Sequence, residues 1–146
     1  MPHQILRYQQ KLSGPILDRI DLYSSVHEIN HRKLLTQAVN PQSDQSVRDD
    51  IARARQLQHD RYGKASKLNA AMTNADIKKF GRLASDAQEL LNGAAERLNI
   101  SARAYMRCVK VARTIADLEG SVEITSGHIS EALAYRSTAA ITSTTQ

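Results

Sequence analysis

The chain has 146 residues, 41% of them apolar and 4% aromatic, with 20 Lys and Arg against 15 Asp and Glu for a formal charge of +5. That length suits one domain with its own core, six Gly and three Pro are few for an all-β protein, and an isoelectric point near 9.6 permits an anionic partner without requiring one. The single Cys108 excludes an internal disulfide or a cysteine-built zinc site; no apolar run of about 18 residues could span a bilayer, and MPHQILRYQQ lacks the apolar h-region of a secretory signal, so a cytoplasmic protein with no membrane partner is expected.

Ser13-Gly14-Pro15 is a turn signal, followed by the apolar group Ile16, Leu17, Ile20 and Leu22. Asp21 to Ile29 mixes Tyr23 and Val26 into an imperfect alternation that predicts a short strand. One strand makes no sheet, so this piece requires neighbours. Arg32 to Val39 has the length of two helical turns, ending before Asn40-Pro41, because proline disfavours helix in the residue before it.

From there the pattern is helical. Ser43 is the expected N-cap of a long helix to about Tyr62, closed by Gly63. Its stripe holds Val47, Ile51, Ala54 and, as the polar exception, Gln58. Thr73 is a weaker cap for a short helix through Phe80. Ser85 or Asp86 is expected to cap a third helix, with Ala87, Leu90, Leu91, Ala94, Ala95 and Leu98 at core-facing spacing. Ser101 caps a fourth, whose apolar side carries Ala102, Tyr105, Met106, Val109, Ala112, Ile115 and Ala116 and which stops at Gly120. Thr125 opens the last helix, with Ile129, Ala132, Leu133 and Arg136 three and four apart. The uncharged Ser/Thr-rich end is expected to be disordered.

Three constellations could carry chemistry. His27-Glu28-Ile29-Asn30-His31 spells H-E-x-x-H, a zinc-peptidase signature that needs both histidines on one helical face. At the end of a strand they would stand about 13 Å apart by strand rise, which favours surface residues at a junction over a metal site. Arg103, Arg107, Lys110 and Arg113 form a basic band on the Ser101 helix, and Arg103 lies in the first turn, where anions are favoured. Phosphate binding is one reading and a solvated face the other; a stand-alone basic module on DNA would use the same band, though it has no interleaved aromatics for stacking. Asp18-Arg19-Ile20-Asp21 is either a surface ion-pair cluster or an arginine aimed at a partner's phosphate. No G-x-x-x-x-G-K-[ST] occurs to cradle a nucleotide.

Arg7-Tyr8 with Leu12-Ser13-Gly14-Pro15-Ile16-Leu17-Asp18-Arg19-Ile20-Asp21-Leu22 resembles a block of the magnesium-chelatase-like AAA+ ATPases of the ComM/YifB family. Ala94 to Leu98, Ser101 to Tyr105, Val111 to Gly120, and His128-Ile129, Glu131 to Leu133 and Tyr135-Arg136 resemble that family's C-terminal helical region. The resemblance implies a mainly α lid preceded by a short remnant of the α/β AAA+ core. Residues 1–30 would be the last core segment, 31–136 the helical lid and 137–146 a disordered tail.

By position, Arg19 matches an arginine finger that acts in trans on a neighbouring subunit's nucleotide, and Arg103 a sensor-2 arginine that meets the γ-phosphate. ATP and Mg²⁺ are implied for the full-length protein and none for this piece, which is expected to be inactive alone. The implied partners are the other subunits of a homo-hexamer and DNA, in a motor of competence and recombination; no metal or zinc site is implied. The polar Tyr23 to Glu28 departs from the family's more hydrophobic strand.

Overall fold

A computed structural model of the chain describes residues 19–24, 41–64 and 66–141, among which five α-helices follow one another. They are α1 (Pro41–Tyr62), α2 (Asn74–Phe80), α3 (Ser85–Arg97), α4 (Ala102–Glu119) and α5 (Ser126–Ile141), with a 3₁₀ turn at Asn69–Ala71 between α1 and α2. The fold is mainly α, as the periodicity predicts. Helix α4 is the axis: α1, α2, the 3₁₀ turn and α5 pack on it, and α3 leans on α5.

Small side chains explain how one helix serves so many neighbours. Ala112 and Ala116 on α4, Ala87 on α3 and Ala132 on α5 are all buried, so backbones approach closely around Leu91, Val109, Ile124 and Ile129. The connections before α3 and α5 meet in an isolated parallel bridge of Leu83 with Ile124, in which Ala84 N–H donates to Ile124 O and Ile124 N–H to Arg82 O. Neither segment has strand length, so pattern reading could not find this contact.

Local signals behave as their chemistry dictates, with several corrections. Gly63 and Gly120 end α1 and α4 at positive φ, which glycine adopts without strain. Ser101 caps α4, its hydroxyl accepting from Ala104 N–H. Helix α1 begins at Pro41 rather than after Ser43, because proline's missing N–H and fixed φ suit the first helical turn. Neither Ser85 nor Asp86 is the N-cap of α3: extended Ala84 holds that place, and Asp86 serves from inside the first turn. The Ser126 hydroxyl and then Ala87 N–H bond its carboxylate and lower its pKa. Leu98 follows the last turn of α3 and is 60% exposed, outside the core stripe.

Thr73 is a stronger cap than its sequence context suggests. It forms a capping box with Asp76, whose carboxylate also takes Lys67 Nζ at 2.8 Å. Lys67 first, and then Thr73, hold the Asp76 carboxyl well below the usual carboxylate range. A carboxyl lowered on folding adds stability above its ordinary value of 3.8, and that stability is lost as pH falls below it. Urea midpoints followed from about pH 6 to about pH 2 should therefore decline less steeply for Asp76→Asn than for the wild type; parallel profiles would contradict this account.

Asp21 to Ser24 form no strand. Tyr23 N–H instead donates to Tyr135 O on α5 at 2.9 Å, so this segment lies against helices. The remainder of the expected strand, Ser25 to Ile29, lies outside the described residues, as do the H-E-x-x-H residues and the turns expected at Arg32 to Val39. Helix α5 continues to Ile141, past the expected start of the tail at 137.

Candidate functional site

The basic band of α4 divides into residues with different work. Arg113 is not a face charge: it is 1% exposed. Its guanidinium donates to Asp117 Oδ1 at 3.1 Å, to Val122 O at 2.9 Å and to Ser121 O at 2.5 Å. Asp117, fully buried one turn later, also takes both ends of the Arg61 guanidinium from α1 and Asn69 Nδ2 at 2.8 Å. Asn69 in turn accepts from Tyr62 and Arg61, while its N–H donates to Gln58 Oε1 at 2.8 Å.

This network explains why a glutamine interrupts the apolar stripe of α1. It also pulls two arginines in opposite directions. The hydrogen bonds that Arg61 donates to Asp117 outweigh burial and raise its pKa, whereas burial outweighs Asp117 and lowers that of Arg113. Among the described residues no buried side-chain nitrogen or oxygen lacks a partner, so these charges hold the fold.

Arg107 is half-buried, with Nη1 at 2.5 Å from both Arg19 O and Asp21 Oδ1. Lys110 donates to Ala70 O at 3.3 Å. Arg103 remains: it is exposed in the first turn of α4, and no described residue bonds its guanidinium. Arg103, Arg107 and Lys110, with Asn74, Ala102 and Met106, line a concavity of about 480 Å³. Three cations beside a helix N-terminus make a surface suited to an anion. A forked guanidinium without a partner among the described residues is well shaped to take phosphate oxygens there.

Arg19 is exposed too, and its guanidinium has no partner among the described residues, while its carbonyl is anchored by Arg107. Both arginines singled out from the sequence are therefore presented to solvent. Sequence reasoning missed Arg107 as a contact between them, because its partner Asp21 is 86 positions away. No group of three or more His, Cys, Asp or Glu among the described residues could hold a metal ion. No helix there is long and apolar enough to cross a membrane.

The described residues form an all-α domain with a basic concavity at the head of its central helix. Residues 41–136 match the family magnesium chelatase, subunit ChlI C-terminal, and residues 1–34 match magnesium chelatase, subunit ChlI. The chain belongs to the magnesium chelatase ChlI C-terminal family. It is 38% identical over 135 residues to competence protein ComM of Haemophilus influenzae and 39% identical over 136 residues to the uncharacterized protein YifB of Escherichia coli. It is 33% identical over 135 residues to the uncharacterized protein Rv2897c of Mycobacterium tuberculosis. Each match takes in 92% of this chain and 26% of the relative, so the chain spans about a quarter of the length of these proteins.

Proposed function

We propose that the chain is the helical lid of an AAA+ ATPase, in which Arg103 contacts the terminal phosphate of bound ATP and Arg19 reaches the nucleotide of a neighbouring subunit in a homo-hexamer. The single observation that carries this reading is the exposed Arg103 at the head of α4, its guanidinium unbonded by any described residue and flanked by Arg107 and Lys110 in one concavity. Family membership supports it independently, since two segments match magnesium chelatase models in chain order.

ATP with Mg²⁺ would supply the phosphoryl group and the counter-charge. This chain's part would be to bring positive charge to the phosphate oxygens where charge develops. Lid movement would then follow the nucleotide's state. A relative called competence protein ComM supports a role in competence; the motor proposed here would handle DNA in competence or recombination and act in the cytoplasm. The reading of the band as a DNA-binding face loses support, because Arg113 is buried and Arg107 is paired.

An NMR titration of the labelled chain with ATP–Mg²⁺, then with short duplex DNA, tests this. The expected result is amide shifts centred on Ser101 to Arg107 with nucleotide, removed by Arg103→Ala. Nucleotide shifts that survive Arg103→Ala would refute the assignment. Shifts along the Arg103 to Arg113 face with DNA alone, fading with salt, would replace the lid with a nucleic-acid-binding module.

A further inference from the structure

Arg107 faces two ways. It lines the basic concavity one helical turn from Arg103. The same side chain also holds residues 19–21, with one nitrogen shared between the Arg19 carbonyl and the Asp21 carboxylate. Its side chain is 24% exposed and that of Asp21 46% exposed, so solvent-borne ions reach both. The segment has other holds on the helical body, from Tyr23 N–H to Tyr135 O and from Arg136 Nη1 to Ile20 O at 3.4 Å. Releasing Arg107 therefore loosens the segment without detaching it.

We infer that Arg107 is a positioning residue that couples occupancy of the Arg103 concavity to the placement of Arg19, because a polyphosphate there and the Asp21 carboxylate compete for one guanidinium. The inference rests on the reading of Arg103 as a phosphate contact. When phosphate draws Arg107 away, the carbonyl of Arg19 loses its donor and the segment bearing that arginine changes its seat on α4. Coupling of this kind is reciprocal: whatever loosens Asp21 from Arg107 must tighten the hold on phosphate. A merely structural ion pair predicts no such gain.

The test is a double-mutant cycle on the full chain, titrated with inorganic tripolyphosphate and followed by amide shifts at residues 20–24 and 101–107. Asp21→Asn is expected to tighten binding about 3- to 10-fold, a gain that disappears in the Arg107→Ala background. In the wild type the Tyr23 amide moves with the same midpoint as Arg103; in Arg107→Ala it stays still while the residues around Arg103 still respond. An unchanged affinity in Asp21→Asn, or an equal gain with and without Arg107, overturns the coupling, since the second result is plain loss of a repelling charge. Binding that is indifferent to Arg103→Ala but still follows the cycle overturns the phosphate-contact reading and the inference that depends on it. No binding at millimolar tripolyphosphate overturns both. Unchanged α4 amide positions in unliganded Asp21→Asn and Arg107→Ala exclude misfolding as the cause.

Discussion

Replacing Asp117 by alanine is expected to destabilise the helical domain by about 3–5 kcal/mol, the loss typical when one partner of a buried ion pair is removed. Asp117 has no exposed side-chain surface and answers two guanidiniums, of which Arg113 is equally buried. Without the carboxylate, Arg113 keeps only two carbonyl partners for a full charge, and Asn69 Nδ2 loses its closer acceptor. Urea unfolding of the wild type and of Asp117→Ala, Arg113→Met and the double variant would show the asymmetry. Arg113→Met leaves Asp117 bound to Arg61 and Asn69 and is expected to lose less; the double variant should recover part of the deficit, because the fully buried Arg113 charge is then gone and only Arg61, whose side chain is 16% exposed, has lost its carboxylate. An Asp117→Ala loss below about 1 kcal/mol would place these groups in water rather than in a core.

The second large effect concerns Arg19. On the proposed reading, in a longer ATP-hydrolysing protein that carries this chain, Arg19→Ala should lower kcat by about 10³-fold or more, with KM for ATP little changed. The reason is that a finger of this kind meets charge that appears on the phosphoryl oxygens only in the transition state. Arg103→Ala should instead weaken nucleotide binding along with turnover, because the contact proposed for it would be made in the ground state as well. Steady-state ATPase measurements over a range of ATP concentrations, giving kcat and KM separately, distinguish the two. A decrease in kcat of less than about tenfold for Arg19→Ala would remove the finger from the mechanism.

How much was legible in the sequence varies with the range of each interaction. Helix identity was readable because spacing and caps are local: Ser101, Gly63 and Gly120 mark real boundaries. Arg103 was readable for the same reason, since its place in a first turn follows from the cap alone. Arg113 was misread because a helical wheel places it with the band. Its turn neighbour Asp117, at i+4, was the available signal that it has a partner. Its own partners Asp117, Ser121 and Val122 lie within nine positions, but the groups that complete the network around Asp117 are non-local: Arg61, Asn69 and Gln58 come from elements that only the fold brings to α4. Residues 21–24 looked extended from their alternation, yet they form no strand and Tyr23 N–H bonds a helix carbonyl rather than a sheet. Alternation reports which backbone shape a segment favours, not what receives its hydrogen bonds.

The outer part of α1 sets a different condition on how this sequence can change. From Asp44 to Arg53 every described side chain is exposed or only partly covered, with Val47 at 53% and Ile51 at 41%, and burial begins at Ala54. Those turns are held by their own backbone ladder and by neighbouring pairs such as Gln45 with Asp49 and Arg53 with Asp50. Substitutions there register mainly as helix propensity and surface charge, each worth a few tenths of a kcal/mol. Over evolutionary time this stretch can drift almost freely in composition while keeping its shape, whereas the turns from Ala54 to Tyr62 must keep the residues that meet Asn69 and Asp117.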